Sequence, residues 1–160
     1  VDFYEKMIQD HPAFISLEDA LDEKDYDGWK KLTARLGHRV MLVGDDLYTT
    51  NTRLIKQGLE EKWANALLLK VNQIGSITES MDAASMIFNA GQNVIVSHRS
   101  GETATTIISD LAVAIGAQYI KTGATARGER VGKYNRLLQI EEDLKKKDML
   151  KIRDQPQFNK

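Results

Sequence analysis

The chain contains no cysteine, which excludes disulfides and thiolate metal sites and is compatible with a reducing compartment. An excess of charge of either sign is missing too. Lys and Arg number 22 against 23 Asp and Glu, leaving a formal net charge of −1, so there is no electrostatic case for nucleic acid or an anionic membrane as a partner. No apolar run approaches the roughly 20 residues that cross a bilayer. The start, Val1-Asp2-Phe3-Tyr4-Glu5, lacks the basic opening and apolar stretch of a secretory signal. It also lacks a methionine, which points to processing or to a piece of a longer polypeptide. No glycine-rich nucleotide fingerprint follows any strand-like run. What is present, 160 residues with 42% hydrophobic and 28% charged side chains, is enough for one ordinary globular domain with a real core.

Short, β-rich apolar runs recur along the chain: Phe14-Ile15-Ser16-Leu17, Val40-Met41-Leu42-Val43, Ala66-Leu67-Leu68-Leu69, Asn93-Val94-Ile95-Val96 and Gln118-Tyr119-Ile120. Polar residues close each run, at positions 18, 45, 70, 98 and 121. Runs this short, apolar almost throughout and bounded by turn residues, read as parallel strands covered on both faces. Between them, helical spacing of apolar residues predicts helices over 25–36, 52–62, 77–89, 103–115 and 130–147. Thr50 or Asn51 caps the second of these, Gly91 ends the third and Gly116 the fourth. Strand and helix alternating at about 25 residues means βα units with right-handed connections. Five such units fit either an open doubly wound sheet or part of a (β/α)8 barrel, whose eight units normally need about 250 residues. From Lys145 to Lys160 the composition turns polar and charged.

The stretch Ser97-His98-Arg99-Ser100-Gly101-Glu102-Thr103 stands where a strand hands over to a helix-like segment starting near Glu102. Arg99 offers a planar fork of donors, Ser100 a hydroxyl, and Gly101 close backbone approach, while a helix N-terminus favours negative charge. This combination suits a phosphorylated or carboxylated small molecule. An ordinary polar turn with a helix cap would look the same in isolation.

In a barrel, the strand C-termini face one shared mouth, and there the remaining polar residues fall into two kinds. Glu18, Asp19, Asp45 and Asp46 are hard oxygen donors suited to Mg²⁺. Lys70, His98, Arg99, Ser100 and Lys121 are cationic or donor groups suited to an anion. Lys70 follows Leu67-Leu68-Leu69 directly, so desolvation, together with positive charge from Lys121 or a metal, is expected to lower its pKa and make it a usable base. Each residue alone also fits a plainer role: a strand-end lysine snorkels into water, a carboxylate pair caps a helix, a histidine sits hydrogen-bonded at a rim. Their recurrence at five consecutive strand ends is what favours a site.

The series Ile15-Ser16-Leu17-Glu18-Asp19, Val43-Gly44-Asp45-Asp46-Leu47, Leu69-Lys70-Val71-Asn72-Gln73, Ser97-His98-Arg99-Ser100-Gly101-Glu102-Thr103 and Lys121-Thr122-Gly123 resembles enolase, the phosphopyruvate hydratase family of glycolysis. The likeness continues through Arg127, Glu129, Arg130 and Tyr134-Asn135-Arg136-Leu137-Leu138 to Glu141-Glu142. It implies an α/β fold, about five C-terminal βα units of a TIM-type barrel over 1–147 with a polar tail over 148–160. It implies Mg²⁺-dependent, reversible dehydration of 2-phosphoglycerate to phosphoenolpyruvate. By motif, Glu18 and Asp45 would be Mg²⁺ ligands and Lys70 the base that removes the proton beside the carboxylate. Arg99 and Ser100 would bind the phosphate with His98 nearby, Lys121 would hold the substrate carboxylate, and Asp19 and Asp46 would support the ligands. A cytoplasmic location and a homodimer for the complete enzyme go with the family.

The sequence also departs from the family. The N-terminal domain with its mobile loop, a further metal-binding aspartate and the glutamate pair that assists loss of hydroxide have no counterpart in residues 1–160. The chain therefore resembles the C-terminal half of the barrel, and by itself is expected to be inactive. Ala104-Thr105, Gly128 and Ala20-Leu21 replace residues common in the family. The alternative is a non-catalytic binding module, for example one that holds plasminogen through a C-terminal lysine, here Lys160.

Overall fold

The computed structural model describes residues 1–151. These form two compact units, one over Val1–Val94 and one from Ile95 onward. The polar tail from 152, with Lys160 and the plasminogen reading attached to it, lies outside the described residues.

The first unit runs α1 (Asp2–Asp10), β1 (Ser16–Glu18), α2 (Tyr26–Leu36), β2 (Met41–Gly44), α3 (Thr52–Glu61), β3 (Ala66–Leu69), α4 (Val71–Ile74) and α5 (Ile77–Asn89). β1 pairs with β2 and β2 with β3, both in parallel, with Leu17 opposite Leu42 and Val43 opposite Ala66. Every residue of β2 and β3 is buried, as expected for a parallel sheet covered on both faces. β4 (Asn93–Ser97) follows. The second unit continues with α6 (Ile107–Ala114), β5 (Tyr119–Lys121) and α7 (Gly128–Lys146), and β4 pairs with β5 in parallel. The strands are ordered as they occur in the chain, β1-β2-β3-β4-β5. A doubly wound sheet would break that order at a switch point. Strict succession is the order of a (β/α)8 barrel, so the fold is α/β with five successive parallel βα units.

Local chemistry explains most boundaries. The Asp25 carboxylate accepts the Gly28 N–H at 2.9 Å and starts α2. Asn51 accepts from Arg53 N at 2.9 Å and starts α3. Ser76 and Glu79 exchange bonds at the start of α5: the Ser76 hydroxyl accepts the Glu79 N–H at 3.2 Å and donates to its carboxylate at 2.7 Å. Trp29, Leu32 and Leu36 bury one face of α2, and Tyr26 stacks on Trp63 with ring centroids 4.1 Å apart. The Tyr48 ring is wedged between glycines. A Cβ on Gly58 would stand 2.4 Å from it and one on Gly44 2.6 Å, so both positions exclude a side chain.

Two elements differ from the sequence reading. α1 was not anticipated, although Tyr4 and Ile8 stand at helical spacing. It is held by Arg35, whose guanidinium lies 2.6 Å from both Asp2 and Glu5, and by the Tyr4 hydroxyl donating to Ala20 O at 2.7 Å. The helix expected from Glu102 or Thr103 begins only at Ile107. Three threonines in Thr103-Ala104-Thr105-Thr106 disfavour helix through their β-branching, and the Thr103 carbonyl is bonded elsewhere. The Arg99-Ser100-Gly101 turn is therefore followed by irregular chain rather than directly by a helix N-terminus.

Candidate active site

The first unit gathers carboxylates at the ends of β1 and β2. Oxygen atoms of Asp19, Asp45 and Asp46 all lie within 4.8 Å of one another. Asp19 directs the other two: its carboxylate oxygens accept the backbone N–H of Asp45 at 2.8 Å and of Asp46 at 2.9 Å. It does so from a left-handed backbone, φ 43°, which aspartate tolerates better than most residues. Burial pushes the Asp19 carboxyl above the usual carboxylate range. The two N–H bonds oppose that rise, and the Asp45 and Asp46 charges add to it. Asp45 is buried while Asp46 is exposed. Glu18, the other expected ligand, ends β1 on the exposed side and is not a member of this acidic group.

Lys70 directly follows β3, and its ammonium reaches Asp45 Oδ2 at 2.5 Å, with both side chains largely buried. The sequence reading surrounded Lys70 with positive charge; within this unit its bonded neighbour is an anion. Lys70 is placed from its backbone as well. Thr50, fully buried, accepts the Lys70 N–H through its hydroxyl at 3.0 Å and donates to Gln73 Oε1 at 3.3 Å. Thr49 and Thr50 both have positive φ, 46° and 57°. For β-branched residues that is a strained backbone, sustained by the loop that carries Asp45 and Asp46.

Asp45 Oδ1 is buried and has no hydrogen-bond partner. An orphaned carboxylate oxygen beside two further carboxylates fits a hard divalent cation such as Mg²⁺, which favours oxygen ligands.

The second unit carries the donor groups. The His98 N–H donates to Lys121 O at 2.9 Å, extending the β4–β5 ladder by one residue. Arg99 is half-buried, and Ser100-Gly101 form an exposed turn. Lys121 ends β5 on the exposed side. Burial pushes the His98 imidazole below its ordinary value, followed by the Arg130 charge; Glu102 opposes, and Lys121 and Lys133 add to the fall. His98 Nδ1, Thr122 Oγ1 and Arg130 Nε are buried without partners. Gly123, at φ 79°, sits against both His98 and Arg130: a Cβ there would meet Arg130 Cδ at 2.7 Å and His98 Cε1 at 3.0 Å. Its carbonyl accepts the Tyr134 hydroxyl at 2.5 Å.

Two residues escaped the sequence reading of this region. Arg130 entered only as part of a likeness. Lys133 did not figure at all, because nothing in a helical pattern marks a lysine as buried. Glu102, expected near the start of a helix, instead bonds the adjacent Thr103 N–H at 3.1 Å and lies 3.4 Å from the Lys133 ammonium. A family model described as "Enolase, C-terminal TIM barrel domain" matches residues 1–157. The succession of parallel strands, the carboxylates and lysine at the ends of the first three, and the His-Arg-Ser-Gly turn after the fourth agree with that match, and the chain belongs to the enolase family as its C-terminal TIM-barrel domain.

Proposed function

We propose that this chain supplies the base, metal-ligand and phosphate-binding residues of an enolase that interconverts 2-phosphoglycerate and phosphoenolpyruvate with Mg²⁺. The observation that carries this reading is the Lys70–Asp45 contact at the edge of a three-carboxylate cluster. It sets a potential base beside oxygen ligands with one buried oxygen to spare. Asp45, with Glu18 from the family motif, would hold the ion, and Asp19 would keep Asp45 and Asp46 oriented through their backbone N–H groups. When bound, Mg²⁺ would supply positive charge against the charge that develops on the substrate carboxylate.

The proton beside a carboxylate is barely acidic, so the base must be basic and well placed. Lys70 takes that proton at Nζ. The resulting ammonium is then stabilised by Asp45, and Thr50 fixes the backbone from which Nζ reaches out. Arg99 and Ser100 hold the phosphate, His98 donates from beside them, and Lys121 binds the carboxylate. A homodimer of the complete enzyme and a cytoplasmic location accompany this reading.

The test is formation of phosphoenolpyruvate from 2-phosphoglycerate by the complete polypeptide, followed by its ultraviolet absorbance with Mg²⁺ and with a chelator. Chelator-sensitive product formation is expected, and its absence overturns the reading. Residues 1–160 assayed alone are expected to give no product, since the family's acid partner is not among them; a Mg²⁺-dependent rate would refute that part.

A further inference from the structure

Lys133 is fully buried in the second unit, where an ammonium is tolerated only if its donors are satisfied. It has three protons to give and three acceptors in reach. These are Glu129 O at 2.6 Å on its own helix, Thr103 O at 3.0 Å, and Glu102 Oε2 at 3.4 Å. Two of the three belong to the irregular segment between the Arg99-Ser100-Gly101 turn and α6. The other Glu102 oxygen accepts the Thr103 N–H at 3.1 Å, so the ammonium grips Thr103 through its carbonyl and the preceding residue through its carboxylate. The Lys133 carbonyl in turn accepts the Ser109 hydroxyl at 2.9 Å, tying α6 to α7 at the same point. The segment lies outside any helix, so it lacks an i to i−4 bond network to fix its shape.

We infer that Lys133 is a positioning residue that holds the chain after Arg99 and Ser100 in the shape that binds phosphate. Its effect on phosphate rests on the proposed function; its hold on the segment does not. The ammonium replaces the missing helical bonds with a buried anchor, so Arg99 and Ser100 are presented from a fixed backbone, and binding does not carry the entropy of ordering it.

The test uses Lys133→Met and Glu102→Gln in the complete polypeptide. Glu102→Gln leaves both carbonyl partners of Lys133 in place. Amide hydrogen exchange is measured over 99–106, with 41–44 and 66–69 as references, and inorganic phosphate is titrated by calorimetry. Lys133→Met should speed exchange in 99–106 at least tenfold with the reference strands changed less than twofold, and weaken phosphate at least tenfold. Glu102→Gln should move both readouts in the same direction by a smaller factor. Unchanged exchange in 99–106, or an equal rise in the reference strands in both variants, overturns the inference. Phosphate affinity unaltered despite a loosened segment overturns its functional half. Should Lys133→Met fail to fold, Glu102→Gln decides by the same criteria. A wild-type protein that ignores phosphate refutes the proposed function, while exchange still decides the anchor.

Discussion

The Lys70 ammonium lies 2.5 Å from Asp45 Oδ2, joining residues 25 positions apart in sequence at the ends of neighbouring strands. The contact occupies one Asp45 oxygen and leaves the other, Oδ1, buried without a partner. Replacing Lys70 by Ala leaves a buried carboxylate without its partner. It should abolish exchange of the substrate α-proton with solvent, a loss of at least about 10²-fold for removal of a general base. Proton NMR in deuterated buffer reads this directly, and retained exchange would show that the base lies elsewhere.

Thr50 gives a prediction that concerns placement rather than chemistry. Thr50→Val keeps the shape but removes the acceptor of the Lys70 N–H. An unsatisfied buried donor costs about 1–3 kcal/mol, which denaturant titration should detect. Turnover should fall as well, because Nζ would no longer start from a fixed backbone.

His98 should titrate below its ordinary 6.5, chiefly because of its burial and the Arg130 charge. The folded protein therefore binds that proton less readily than the unfolded chain. Above pH 6.5 the contribution to stability is complete, and as pH falls through the folded pKa it is lost. NMR titration of the His98 Cε1 proton should place its midpoint under 6.5. Lys133→Met should raise that midpoint, since the lysine charge is one of the groups holding it down.

Gly101 separates binding from folding. A Cβ at this position meets no atom within 4 Å, so Gly101→Ala should change the unfolding free energy by no more than about 0.5 kcal/mol. Phosphate affinity should still drop, because the added methyl faces the space a ligand needs. Equal affinity would show that the backbone does not approach the anion closely.

How far the sequence foretold these features depends on how local each signal is. β3 and α5 were readable to the residue, because an apolar run between polar ends and a run of helical spacing closed by Gly91 are local patterns. α6 was placed too early because Ile107, Leu111 and Ile115 share a helical spacing that says nothing of where the backbone bonds start. α1 was missed because half of its hold comes from Arg35, distant in sequence. The acidic residues were singled out by their position at strand ends. The selection of Asp19, Asp45 and Asp46 as the close group, with Glu18 to one side, follows from the left-handed turn at Asp19 that no residue pattern announces. Lys133 was invisible because burial of a charge is decided by its acceptors, and those arrive from elsewhere in the chain.

Asn65 does its work at the opposite ends of the strands. Its side chain accepts the Leu42 N–H at 2.6 Å and donates to Gly37 O at 2.9 Å and Val40 O at 3.2 Å. Its carbonyl accepts the Asn93 N–H at 3.4 Å. One amide thus stitches the entry into β2 to the entry into β3, far along each strand from Asp45 and Lys70. A library that randomises the exposed positions 46, 100 and 101 to seek new anionic substrates should retain folded members in quantity. The same library with Asn65 opened to variation should lose most of them.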